Sequence, residues 1–410
     1  MSNSSFQNII LKDLLLPNGY IRGPFGSALK RDDMLSEGIP VYEQQHAINN
    51  HRNFRYFIST KKYEEMKRFQ VMPNDLIISC SGTIGRVSLI SNTDPIGIIN
   101  QALLILRCDT QKVLPHYLKY YFTSNKGHQS LIERSKGSVQ VNIAKRSVIE
   151  NISLELPDIP TQAAIVNILK AFDKKIEKNN EETSLLYTLI LSAYHDWFFK
   201  FNYRDLSSEV ITTIPKGWVI SSAFENIVEV REKNTENRDY PVLSVVKEGE
   251  FRLSEDVFTK QVYSKNTTNY KVVRRNQVAY NPARANIGSI AMLTDFDVGL
   301  VSPIYVVFKM KETITPTFFY YYMKQPMFLK NIKHHAIGTT RQNFPFEAFK
   351  MFNMVVPPME LQLRFEEIAK PIEQKIAKLK EENDVLAEIR DTLLPKLING
   401  ELPVEVGEGQ

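Results

Sequence analysis

The chain has 410 residues, 43% of them hydrophobic and 24% charged, a composition that suits a globular protein with room for more than one domain. Two cysteines, Cys80 and Cys108, exclude a disulfide framework and fit a reducing cytoplasm. The polar start Met1–Gln7, with no run of 18 or so apolar residues anywhere, predicts neither a secretory signal nor a membrane span. The net charge of +5 is unevenly spread: +6 over residues 1–156, −2 over 157–198, +6 over 199–356 and −5 over 357–410. Two basic blocks alternating with two acidic ones suit a polyanion held at two places.

In chain order, the first block carries strand-like runs at Asp75–Ser79, Arg86–Ile90 and Ala102–Leu106, then an aromatic helix at Tyr117–Phe122. It closes on Gly137-Ser-Val-Gln-Val-Asn142. Next comes a long heptad pattern, Ile165, Leu169, Phe172, Ile176, Asn179, Thr183, Leu186, Ile190, Ala193 and Trp197, entered through Ile159-Pro160-Thr161. The second block repeats the order: Gln277–Tyr280, Gly288–Leu293 and Ile304–Phe308 as strands, Phe318–Tyr322 as aromatic helix, Gly338-Thr-Thr-Arg-Gln-Asn343 as closing element. A second heptad run follows from Phe365 to Leu397, about 200 residues after the first. At Arg390 its apolar seam slips, and Ile389 is expected to supply the contact. The first 70 residues of the two blocks do not align.

Each heptad segment runs about 38 residues without Gly, with Pro395 near the end of the second, and predicts a helix of on the order of 55–60 Å. Two matched copies favour a two-stranded coiled coil, and duplicated halves related by a twofold axis make the pairing antiparallel. Polar residues in the seam, Asn179, Thr183 and Asn383, set its register. The expected fold class is α/β (α+β): two globular domains joined by two long helices, with a pseudo-twofold internal repeat. The expected boundaries are a first domain at 1–157, a central helix at 158–200, a second domain at 201–357, a distal helix at 358–400 and a tail at 401–410.

No enzyme site is coherent in this sequence. Asn281-Pro-Ala-Arg284 lacks the second proline and the aromatic of an amino-methyltransferase motif. Asp158, Asp173 and Lys175 match a loose nuclease spacing, but a helix between them keeps the two carboxylates ~20 Å apart. His334 and His335 are adjacent and diverge, and no phosphate-binding glycine loop occurs. A stand-alone methyltransferase-nuclease would need a cofactor-binding sheet that is not legible here. A coiled-coil scaffold without DNA reading is the other alternative, distinguished by absence of salt-dependent DNA binding.

Side chains able to pair with base edges, or to approach phosphates, are the candidate contacts. In the first domain these are Gly26, Ser27 and Lys30 toward phosphate, with Gln44, Gln45, Arg52, Gln140 and Asn142 toward bases. In the second they are Tyr280, Asn281, Arg284, Asn286, Thr339, Thr340, Arg341, Gln342 and Asn343, with Arg341 and Gln342 foremost because small residues precede them and Pro345 follows.

Several of these pieces, in order and in duplicate, resemble the specificity subunits of type I restriction-modification systems over nearly the whole chain. They are Gly23-Pro-Phe-Gly-Ser27, Ile214-Pro-Lys-Gly-Trp218, the two Gly-Ser/Thr-x-x-x-Asn elements, the helix entries ending in Gln162 and Gln362, and Leu393–Leu402. Leu361, and Thr161 in the first copy, depart from the acidic residue common before that glutamine. The resemblance implies two target-recognition domains, each reading one half of a bipartite, asymmetric double-stranded DNA site, with the helices setting the spacer. It implies a non-catalytic chain that binds no cofactor itself. Two modification subunits would carry S-adenosylmethionine for adenine methylation, and restriction subunits would bring ATP, magnesium and DNA cleavage.

Overall fold

A computed structural model describes residues 6–25, 28–134, 141–200, 214–257, 266–336 and 343–405. The chain divides into two compact units, Met1–Asn179 with Glu381–Gln410, and Asn180–Lys380. The two long helices are therefore not separate segments. Each unit holds one lobe and half of each helix.

In the first unit β1 (Gln7–Ile10) leads to β2 (Leu15–Arg22), β3 (Ile39–Tyr42), α1 (Gln44–Asn49), β4 (Phe57–Ile58) and α2 (Thr60–Glu65). Then come β5 (Leu76–Ser79), β6 (Val87–Leu89), β7 (Ile98–Ile99), β8 (Leu103–Cys108), α3 (Pro115–Thr123) and α4 (Asn125–Leu131). The lobe closes with β9 (Ile132–Arg134), β10 (Val141–Ile143), α5 (Arg146–Glu150) and β11 (Ser153–Leu156), and α6 (Ile159–Phe198) follows. The central sheet has the order β2-β8-β5-β6, and β1 pairs with β11.

The inner strands of the central sheet, β5 and β8, are buried on both faces, which is why they read as nearly unbroken apolar runs. Side chains alternate between two cores. Leu76, Ile78, Leu104 and Leu106 point to a core shared with Tyr117, Phe122, Ile165, Leu169 and, from the end of the chain, Leu394 and Leu397. Ile77, Leu103 and Ile105 point the other way, to Tyr42, Ala47 and Val71. One face thus carries the helices and the other carries the segment between β2 and β5.

The second unit repeats this plan. Its strands are β12 (Val219–Ser222), β13 (Ile227–Val230), β14 (Leu243–Val245) and β15 (Phe251–Leu253); α7 (Ser254–Val257) precedes β16 (Lys271–Arg274). β17 (Val278–Tyr280), β18 (Ile290–Met292), β19 (Val298–Val301) and β20 (Val306–Met310) follow, then α8 (Pro316–Met323), α9 (Pro326–His335), β21 (Asn353–Val356) and α10 (Met359–Ile398). The sheet order β13-β20-β17-β18 matches that of the first lobe, and β12 pairs with β21 as β1 does with β11. Val278, Tyr280 and Phe308 face a helix-side core that includes Ile190, Tyr194, Phe198 and Phe365. Ala279, Ala291 and Val307 face Leu243, Phe251 and Val273.

The upstream thirds, which do not align by sequence, do match in structure. Gln70 bridges Ile98 just as Val272 pairs with Leu300, and β3–β7 is parallel like the bridge of Val242 to Leu300. The turn before the central hairpin has the same geometry in both lobes. Asn74 and Asn276 both take positive φ, 71° and 66°. Asp75 Oδ2 accepts from the Met72 amide at 2.7 Å, and Gln277 Oε1 from the Arg274 amide at 2.9 Å.

Both long helices have 40 residues, or about 60 Å each. Within each unit their halves run antiparallel: Asp173 meets Arg390 and Asn179 meets Asn383 in the first, while Glu182 meets Lys375 and Tyr194 packs on Phe365 in the second. Two sequence readings need correction here. Ile389 does not fill the seam; it is exposed, and Arg390 occupies the position by pairing with Asp173 at 2.7 Å. Pro371, which the heptad count passes over, lies inside α10; without an N–H it leaves the Glu367 carbonyl no i−4 donor, yet the helix continues. The equivalent in α6 is Ala171. Among the described residues no helix is long and apolar enough to cross a membrane.

Candidate nucleic-acid interface

Each lobe is clamped to its helix by one glutamine. The buried Gln162 accepts from the Leu114 amide at 2.9 Å and donates to the Pro157 carbonyl at 2.9 Å. Gln362, fully buried, accepts from the Thr315 amide at 2.8 Å and donates to the carbonyls of Pro357 and Thr313 at 2.9 and 3.1 Å. Both ends of each carboxamide are used, so these residues fasten the start of α6 or α10 to the N-terminus of α3 or α8. A second tie repeats as well: Tyr120 donates to Asp173 at 2.6 Å and Tyr321 to Glu373 at 2.7 Å. Burial would raise the Asp173 carboxyl, but hydrogen bonds from Tyr120 and Arg390 and the charges of Lys119 and Arg390 hold it below the ordinary carboxylate value.

The nuclease-like trio is thereby accounted for structurally. Asp173 is held in this cluster, Asp158 caps α6 by accepting from the Thr161 amide at 2.9 Å, and Lys175 pairs with Glu382 at 3.2 Å. His334 and His335 stack edge to face at the end of α9, 4.8 Å between centroids.

Among the described candidates, Gln44 lies against the β5–β6 loop, and Asn281, Arg284, Asn286 and Asn343 lie in or beside the β17–β18 loop. In the first lobe, Gln44 begins α1 and its carboxamide oxygen accepts from Ser81 Oγ at 2.7 Å, above Gly82 in the β5–β6 loop. Gln45 is next to it and donates to Glu43 at 3.3 Å. Glu43 is in turn gripped by Arg55 through two bonds of 2.8 and 2.9 Å. In the second lobe the β17–β18 loop carries Asn281, half-buried, with its side chain accepting from the Ala283 amide at 3.0 Å. Arg284 follows, exposed, and then Asn286. Exposed Asn343 lies beside them, because the Phe344 amide donates to the Pro282 carbonyl at 3.0 Å. Lys30 is exposed, apart from these loops, opening the short turn Arg31–Asp33.

Two candidates are corrected. Tyr280 is fully buried, its ring packed on Phe308, Phe344 and Phe349, so it is core and presents nothing to a ligand. Arg52 is a structural lock: its guanidinium pairs with Asp94 at 2.7 Å and donates to the carbonyls of His51 and Leu89 at 3.0 Å. It pins the α1 segment to β6. Gly26, Ser27, Gln140, Thr339, Thr340, Arg341 and Gln342 lie outside the described residues. Asn142 is placed on β10, opposite Glu133, by its backbone only.

Sequence reasoning missed a groove of about 500 Å³ in the first lobe, lined by Tyr20, Arg22, Gly23, Phe25, Arg68 and Arg146 among others. Gly23 is required at its floor, because a Cβ there would lie 2.0 Å from the Asn100 carbonyl oxygen. This close approach aims Phe25 outward, 69% exposed, with the Arg22 guanidinium 5.6 Å from its ring centre. The adjacent Lys145-Arg146 pair was the available signal.

Comparison with known proteins adds the decisive observation. The model of the type I restriction modification DNA specificity domain matches this chain twice, over residues 24–186 and 225–389. The chain belongs to that family. It is a DNA-specificity chain without catalysis of its own, like its relatives. The MjaIX specificity subunit of Methanocaldococcus jannaschii is 24% identical over 387 residues, covering 86% of this chain and 85% of that one. The HindI specificity subunit of Haemophilus influenzae is 23% identical over 394 residues, covering 78% and 84%. In fold the chain is similar to the crystallised type I S subunit from M. genitalium, with a TM-score of 0.56 at 16% identity over 97% of both chains.

Proposed function

We propose that each lobe of this specificity chain reads one half of a bipartite, asymmetric DNA site, and that α6 and α10 set the unread spacer between the halves. The observation that carries this reading is a duplicated frame faced by unlike segments. The sheet order, the helix clamp and the hairpin turn are the same in both lobes, whereas the candidate contact residues at the loops are not. The first lobe offers Gln44 and Gln45 and the second Asn281, Arg284, Asn286 and Asn343, side chains suited to base edges in the major groove. Binding in this way directs adenine methylation by two modification subunits carrying S-adenosylmethionine, and ATP- and magnesium-dependent cleavage by restriction subunits, in the cytoplasm. The chain contributes the address and its partners the chemistry.

Mapping methylated adenines in DNA from cells that carry the chain with its modification subunit tests this reading. A motif of two unlike halves around a fixed unread spacer is expected. Four residues inserted after Asn180 add ~6 Å of helix, about two base pairs at ~3.4 Å each, and should lengthen the spacer while leaving both halves unchanged. Altered bases in either half would contradict the ruler.

A further inference from the structure

At the places in the second lobe that match the lining of the first lobe's groove, the described residues carry less charge. Arg22, Arg68, Lys145 and Arg146 line that groove together with Gly23. Arg146 is bound by Glu150 at 2.8 Å, and Arg22 donates to the carbonyls of Gln101 and Leu103 at 3.1 and 2.8 Å. Arg68 and Lys145 are exposed and meet no carboxylate among the described residues. Among the described residues, four cations thus stand against one carboxylate around this concave surface. Strand register puts Arg231 at the place of Arg22 and Tyr270 at that of Arg68, while Pro345 and Phe346 open a short helix where Lys145 and Arg146 open α5. The one cation at those matched places, Arg231, is neutralised by Glu229 at 2.9 Å.

Like charges lining one groove favour an anion between them, and duplex DNA presents one phosphate charge per ~1.7 Å of axis. The groove offers guanidinium and ammonium donors and, among the described residues, no carboxamide. That donor set suits phosphate oxygens better than the mixed edges of bases. We propose that this groove grips the phosphodiester backbone beside the first half-site, with Arg68 and Lys145 as the phosphate-contacting side chains and Arg22 and Arg146 as fixed charges behind them. The proposal rests on the DNA-reading function stated above and adds an asymmetry to it: the first lobe holds the backbone here and the second does not hold it at the equivalent place.

The test uses the full chain in complex with its modification subunits and a duplex carrying the mapped site. In Arg68→Ala/Lys145→Ala, the slope of log affinity against log salt should become shallower by about 1.8, the value for two lost phosphate contacts. Affinity for every single-base variant of the site should fall by one common factor. Arg231→Ala in the second lobe should leave the slope unchanged. An unchanged slope in the double variant overturns the proposal, and so does a loss confined to particular bases. Should the double variant fail to fold, methylphosphonates placed one at a time beside the first half-site decide the matter with the unaltered complex: no weakening at any position overturns the groove. A complex that shows no preference for the mapped site overturns DNA reading itself. Retained preference with an unaltered slope overturns only the groove.

Discussion

In the first lobe β3 and β4 are joined by Glu43–Tyr56, a segment that carries α1 and is pinned by the Arg52–Asp94 lock. In the second, β14 and β15 are joined by Val246–Glu250 alone, and the longer connection comes later, between β15 and β16. The α1 segment of the first lobe stands on the sheet face opposite the long helices. The face toward the helices is copied closely, down to Gln162 and Gln362. Loop closure costs grow slowly with length, so the outer face tolerates such exchange while the clamped face does not.

The largest effect expected from this contrast lies in the clamps. Gln362→Ala leaves a buried amide and two carbonyls without partners, and should cost about 3–4 kcal/mol of unfolding free energy at ~1–3 per stranded group after partial solvation. Gln162→Ala strands one amide and one carbonyl and should cost about 2–3 kcal/mol. Denaturant unfolding of each variant checks the order. A cost under 1 kcal/mol in both would show that the shared face is not what fastens lobe to helix.

A smaller effect separates the lobes by pH. Burial, with Lys170 and Lys119 nearby, pushes the His116 imidazole down to about 4. The second lobe has Thr317 at the matched position. Since the unfolded chain protonates this histidine near its ordinary value of about 6.5, the first unit keeps its full stability above that pH. It loses stability as pH falls from about 6.5 toward 4. Between pH 7 and 5 the loss is on the order of 1–2 kcal/mol, and His116→Asn should remove it. Hydrogen exchange at β5 and β17 reads the two units separately. Equal acid sensitivity in both, or an unchanged pH dependence in His116→Asn, would break the contrast.

What was legible in the sequence follows the same division. The heptad runs, buried strands and helix-entry glutamines are local patterns with fixed spacing, and the structure bears out two lobes with antiparallel helix halves in each unit. The match between the upstream thirds was not legible, because it lives in strand pairings such as Gln70 with Ile98 and Val272 with Leu300 while the intervening loops differ in length. Side-chain fates were also hidden. Tyr280 reads as a ring beside a polar loop, but strand alternation turns it to the core; Arg52 reads as a free cation, but its partner Asp94 lies 42 residues on. The seam at Arg390 was misread because an ion pair with Asp173 can replace an apolar contact.

The central claim is that two readers act independently on one frame, and exchange of a single lobe tests it most directly. Residues 1–150 are replaced by the corresponding segment of another specificity chain of this family, and methylated sites are mapped in cells carrying the chimaera and the modification subunit. The account predicts that one half-site changes to that of the donor while the other half and the spacer stay as they were. A motif in which both halves change together would contradict it.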